Sequence, residues 1–249
     1  MCSNSINYID FKHQESVGFL TMDLSLKGNS KLINITKYMI LAMIMIIPIQ
    51  VLIFSIVPLP ESSLAWLELF KNQPILGLLH MDFLYIINNT FLVFFYFVLY
   101  ITLRKENNSL LNIALITGII GAILYYVSNR SIEMLYLANR YFETTDLALK
   151  TSYLATAEMY LDIWKGTSFN IYYVLSAVSL LGFSYVMLKD SFYSKRTAIF
   201  GLVSGVLMII PSSVGMVGMV FALLSLIPWI GFSILVMMRL FKLNQEQNK

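Results

Sequence analysis

The chain has 249 residues, of which 58% are hydrophobic and only 12% charged, about half the charged share of an ordinary soluble domain. That composition excludes a soluble globule. The net charge of +3 comes from 17 Lys and Arg against 14 Asp and Glu. In a membrane protein such an excess records which loops face the cytoplasm, and it does not imply nucleic-acid binding. Cys2, the one cysteine, cannot form an internal disulfide. Two histidines, His13 and His80, are too few for a three-His metal site or a bis-His haem.

Charge-free stretches cover residues 38–60, 83–103, 107–129, 166–188 and the 42 residues from 197 to 238. A crossing takes about 20 apolar residues, so each of the first four fits one crossing and the last fits two. The predicted fold is all-α, a polytopic membrane protein with six transmembrane helices near Tyr38–Val57, Phe83–Leu103, Leu110–Val127, Ile171–Leu188, Thr197–Ile210 and Val214–Arg239. Pro211, Ser212, Ser213 and Gly215 supply the last turn and leave the fifth helix short. Residues 1–37 and 242–249 are expected as tails around a membrane domain of residues 38–241.

Six crossings place twelve Lys and Arg on the side of both termini and five on the other, so the termini are expected in the cytoplasm. Residues 1–37 are too polar for a signal peptide, and the first helix should itself direct insertion into the inner membrane. The outward side carries residues 128–168 as its one substantial extramembrane element. Two helices are predicted there, Ser131–Phe142 and Asp146–Trp164. In the second, Tyr153, Ala157, Tyr160 and Trp164 form one stripe, and Thr151, Glu158, Asp162 and Lys165 lie opposite. An amphipathic helix of this kind can lie on the bilayer or cap the bundle, and its aromatic stripe favours a cap. A likeness between the second and third crossings and the fourth and fifth suggests a compositional repeat.

The second crossing carries the candidate site. At 3.6 residues per turn, Asp82, Tyr85, Asn89, Tyr96 and Tyr100 share one face, while Phe83, Phe91 and Phe94 share another suited to lipid. Polar groups in hydrocarbon need partners or water. The polar face can line a ligand vestibule, with Asp82, Tyr85, Asn89, Glu133, Glu158 and Asp162 as ligand-binding candidates, or it can hydrogen-bond neighbouring helices. His80 and Asp82 with Glu158 and Asp162 permit a metal site on paper, yet they lack the tight spacing of a zinc signature. No catalytic residue, metal or cofactor is assigned. Elsewhere small residues at four-residue spacing (Ala114, Gly118, Ala122; Gly201, Gly205; Gly218, Ala222) mark packing faces. Pro228 should bend the last helix, beside Trp229.

Four stretches taken together carry a resemblance: Leu79-His80-Met81-Asp82-Phe83-Leu84-Tyr85-Ile86-Ile87-Asn88-Asn89, Ser128-Asn129-Arg130-Ser131-Ile132-Glu133-Met134-Leu135, Phe192-Tyr193-Ser194-Lys195 and Ile227-Pro228-Trp229. In order and spacing the chain resembles, from about residue 38 to 241, a bacterial six-helix family of unknown function, the DUF4386 type. The resemblance implies a six-crossing inner-membrane fold and brings no activity, substrate or catalytic residue. Three function classes remain. The first is a non-enzymatic protein that binds or passes a small ligand through an outward vestibule. The second is the permease subunit of an ATP-driven exporter, and the third an intramembrane metal-dependent hydrolase. The expected partners are the lipid bilayer, the small ligand, and either a second copy or other membrane subunits. No Walker lysine motif is present, so ATP hydrolysis by this chain is not expected.

Overall fold

The computed structural model describes residues 26, 28–104 and 109–247. Expectations on Cys2, His13 and most of the N-terminal tail lie outside these residues. Ten helices, and no strand, are found among the described residues: α1 (Ser30–Ile56), α2 (Ser63–Asn72), α3 (Pro74–His80), α4 (Phe83–Leu103), α5 (Ser109–Ser128), α6 (Ser131–Glu143), α7 (Leu147–Trp164), α8 (Thr167–Lys189), α9 (Lys195–Leu207) and α10 (Gly215–Gln247). Five helical stretches are long and apolar enough to cross a membrane; they contain α1, α4, α5, α8 and α10.

Packing runs in a closed ring, α1 against α4, then α5, α8, α9, α10 and back to α1. Its centre is filled by large side chains that are fully buried, among them Phe95, Tyr96, Leu99, Phe183 and Phe232. Tyr96 stacks on Phe183 at 5.7 Å, and Phe95 meets Phe232 at 5.9 Å. Small residues set the closest approaches. A Cβ added to Gly118 of α5 would lie 2.6 Å from the Tyr96 ring and from Ser179 Oγ of α8, and one on Gly182 would lie 2.9 Å from the Ala114 Cβ. The outer faces carry exposed Ile35, Met45, Ile116 and Val203, as helices bathed in hydrocarbon should.

Several expectations need correction. The first helix starts at Ser30 rather than Tyr38, and the last continues to Gln247 rather than ending at Arg239. Charge does not stop either helix, and two of the cations rest on aromatic rings. The Lys37 side chain is 5% exposed with its Nζ 4.6 Å above the Phe241 ring, and the Arg239 guanidinium sits 4.4 Å above Phe192. The fifth expected crossing, Thr197–Ile210, is a helix of only 13 residues. At about 1.5 Å per residue it covers roughly 20 Å of a hydrocarbon core about 30 Å thick. Pro211 disfavours continuation of the helix, and Gly215, at φ +55, turns the chain into α10. Between them Ser213 Oγ donates to Asn170 Oδ1 in the first turn of α8.

A second correction concerns the end of the bundle where α1 leads to α4 and α5 leads to α8. Residues 128–168 are not the one substantial element there. Residues 63–80 form α2 and α3, which pack with α6 and α7 around a separate core of Trp66, Leu67, Phe70, Met81, Met134, Leu137, Ala138, Ala157 and Trp164. Ser62 caps α2 by accepting from the Ala65 amide at 3.2 Å, and Asp146 caps α7 by accepting from the Ala148 amide at 2.8 Å. A pattern of two shorter helices between two longer ones occurs twice, as α1 to α4 and as α5 to α8, and the two inner pairs pack on each other.

Candidate functional site

The chain passes from α3 into α4 through Met81 and Asp82. Asp82 adopts φ 62, ψ 29, and is the one non-glycine residue with positive φ among the described residues. Asp reaches this region more readily than most residues, but holding it there takes surrounding contacts. Three elements supply them. Trp164 Nε1 at the end of α7 donates to Asp82 Oδ2 at 3.0 Å, and the Tyr125 hydroxyl of α5 donates to the Asp82 carbonyl at 3.0 Å. Asn129 Nδ2 donates to the neighbouring Met81 carbonyl at 2.9 Å, while Asn129 Oδ1 accepts from the Ser131 hydroxyl and amide. One acidic residue thus joins the short helices to the ring.

Beneath Asp82 a column of hydroxyls and amides runs into the bundle. Tyr85, Tyr125 and Tyr173 lie within the field of the Asp82 carboxylate. Tyr125 is 6.5 Å from Tyr85 and 5.0 Å from Tyr172, ring centre to ring centre. One turn deeper, Asn89 is 0% exposed and donates through Nδ2 to the Tyr85 carbonyl at 2.9 Å. The Tyr172 hydroxyl comes near this amide, yet among the described residues Asn89 Oδ1 has no partner in hydrogen-bond geometry. Deeper still, Tyr96 lies beside Ser176 and Ser179, and Ser179 Oγ donates to the Ala114 carbonyl at 2.7 Å.

The sequence candidates therefore divide. Asp82, Tyr85 and Asn89 share this column. Glu133 pairs instead with Arg130 at 3.0 Å on α6, and Glu158 and Asp162 are exposed on α7. No hydrogen bond or ion pair joins these three to Asp82 among the described residues. Tyr100, the last member of the expected stripe, donates to Asn112 Oδ1 at 2.9 Å. His80 makes no bond to Asp82: its ring is 0% exposed, 5.8 Å from Phe54 of α1, with neither nitrogen hydrogen-bonded among the described residues. Among the described residues no group of three His, Cys, Asp or Glu is placed to hold a metal. Tyr125, Tyr172 and Tyr173 were not among the sequence candidates. The spacing of Tyr125 with Asn129 (i, i+4), and of Tyr172 with Ser176 and Ser179 (i, i+4, i+7), is the signal that identifies their faces.

Burial pushes the Asp82 carboxyl up from its ordinary 3.8 to about 7, against the opposing Trp164 hydrogen bond and Lys165 charge. The residue keeps some accessible surface, while its carboxyl group is packed round by protein. A carboxyl raised in this way holds more protons folded than unfolded between those two values, so its contribution to stability falls as pH rises from about 4 to about 7. Burial lowers the neighbouring His80 below its ordinary 6.5; that group loses stability in the opposite direction, as pH falls. Comparing the parent with Asp82→Asn separates the two. The melting midpoint of the parent should decline relative to the variant across pH 4–7 and stay parallel above it. Parallel curves throughout would mean that the carboxyl is not perturbed.

A chain whose described residues form helices and no strand, with five helices fit to cross a bilayer and a polar junction under a layer of shorter helices, has the make-up of a multi-pass membrane protein. The chain belongs to the DUF4386 family, described as a domain of unknown function, which matches residues 37–241. No curated protein and no solved structure gives a significant match.

Proposed function

We propose that this is a non-enzymatic, six-crossing inner-membrane protein that binds or passes a small ligand through an outward-facing vestibule built on Asp82, Tyr85 and Asn89. The observation that supports it best is convergence. A strained acidic residue, the tyrosines of three helices and a buried Asn89 oxygen without a partner among the described residues meet at one junction. Buried polar groups are costly when unpaired, and functional sites in membrane proteins are where such costs are retained. Helices α2, α3, α6 and α7 form the outward cap, α9 with the segment to Val214 completes the sixth crossing, and both termini face the cytoplasm. The twelve-to-five division of Lys and Arg favours that orientation. Glu133, Glu158 and Asp162 flank the approach, where exposed carboxylates raise the local concentration of cations.

A carboxylate among aromatic rings suits an organic ammonium ion. At pH 8, where Asp82 is largely ionised, tetramethylammonium should raise the melting midpoint of detergent-purified protein by a few degrees, and acetate should not. The shift should shrink at pH 5.5 and vanish in Asp82→Asn. An equal shift in the variant, or no shift at either pH, would count against this site. The exporter reading gains nothing from the 190–194 connection. There Phe192 and Tyr193 are buried and Tyr193 bonds Thr102 at 2.8 Å, which leaves no free helix for an ATPase to grip.

A further inference from the structure

Helices α9 and α10 leave a groove between them on the outer face of the ring, with a volume of about 430 Å³. Ile199, Val203 and Leu207 form one wall and Ile227 and Pro228 the other, and Arg196 stands at one end. The helices touch along the floor, where Ser204 Oγ donates to the Ser225 carbonyl at 3.0 Å and Gly231 lies under Phe200. From Arg196 to Leu207 the groove runs about 16 Å at helical rise, half of a hydrocarbon core of roughly 30 Å. It is one leaflet deep.

The charge at its end has no ion-pair partner among the described residues. Arg196 is exposed, and among the described residues it has no hydrogen bond or ion pair. It lies with Lys195 in the first turn of α9, which has no acidic residue there. Two cations at the positive end of a helix repel its dipole, and an anion beside them removes that cost. Lys189 ends α8 six residues before Lys195 opens α9, and cations closing and opening apolar helices suit the bilayer interface.

We propose that the α9–α10 groove is a binding site for one anionic glycerophospholipid of the adjacent leaflet. An acyl chain lies along Ile199, Val203 and Ile227, and the phosphate rests on Arg196. The assignment does not depend on the Asp82 site. An interfacial Lys or Arg contributes about 1 kcal/mol toward an anionic lipid, which corresponds to about fivefold in occupancy.

The test is native mass spectrometry of full-length protein released from nanodiscs containing equal phosphatidylglycerol and phosphatidylcholine. The parent should retain phosphatidylglycerol in about fivefold preference. Arg196→Gln should bring the ratio near one with its melting midpoint in pure phosphatidylcholine unchanged. Val203→Trp, which fills the groove, should lower retention of both lipids. Lys242→Gln, an exposed cation at the same end, should leave the preference intact, and glycerol phosphate should not compete. Equal retention by the parent, or an undiminished preference in Arg196→Gln, would overturn the proposal. So would an equal loss in Lys242→Gln, competition by glycerol phosphate, or a second copy of the chain covering the groove.

Discussion

Replacing Trp164 by alanine lowers the stability of the detergent-solubilised protein by about 3–5 kcal/mol, the cost of deleting a large aromatic side chain from a core. Trp164 is 4% exposed, its ring meets Trp66 of α2 edge-on at 5.5 Å, and its Nε1 donates to Asp82. One side chain therefore ties α7 to α2 and both to the residue that caps α4. Trp164→Phe keeps most of the packing and removes the donor, so it should cost about 1–3 kcal/mol, the penalty for orphaning a buried acceptor. Denaturation midpoints of the two variants measure packing and hydrogen bond separately. A midpoint for Trp164→Ala equal to the parent's would show that the short helices do not pack on the bundle as described.

Gly118→Val should be about as damaging for the opposite reason. The added Cβ alone meets the Tyr96 ring and Ser179 Oγ at 2.6 Å, and two further methyl groups must fit behind it. Tyr96 cannot withdraw, because it is stacked on Phe183 in the filled centre of the ring. Overpacking of a tight core costs about 1–3 kcal/mol and sometimes more. Here α5 has to separate from α8, and we expect a loss of about 3 kcal/mol or more, or failure to accumulate in the membrane. Gly28→Val, where the added Cβ meets nothing within 4 Å among the described residues, is the matched control and should be far less damaging. Equal melting of Gly118→Val and the parent would contradict the close α5–α8 approach.

Which parts of this architecture can be read from sequence follows from the solvent. Hydrocarbon forbids unpaired charge, so charge-free stretches mark the long helices with little ambiguity. Their ends are less legible, because Lys37 and Arg239 settle on the rings of Phe241 and Phe192, contacts between residues far apart in the chain. Helices α2 and α3 are harder still. At 10 and 7 residues, flanked by Pro60 and Pro74, they are too short for a helical period to stand out. At the candidate site, the face of Asp82, Tyr85 and Asn89 is legible from spacing alone. Its neighbours are not, since the meeting of Tyr125 and Tyr172 depends on which helices adjoin in the ring. The Trp164 bond to Asp82 likewise spans 82 positions. Trp164 is legible as part of an apolar stripe, but nothing in its spacing announces a carboxylate partner.

The most direct measurement is thiol reactivity at position 85 in intact cells, with Cys2→Ser as background. If the junction is an outward vestibule, Tyr85→Cys reacts with membrane-impermeant methanethiosulfonates added from outside. The trimethylammonium reagent should react faster than the sulfonate by about tenfold, since one nearby carboxylate biases the cation, and Asp82→Asn should erase the difference. Thr145→Cys, exposed between α6 and α7, reports that the reagent reaches this side. Labelling at 145 with none at 85, or labelling at 85 with no preference for the cation, would contradict an acidic vestibule.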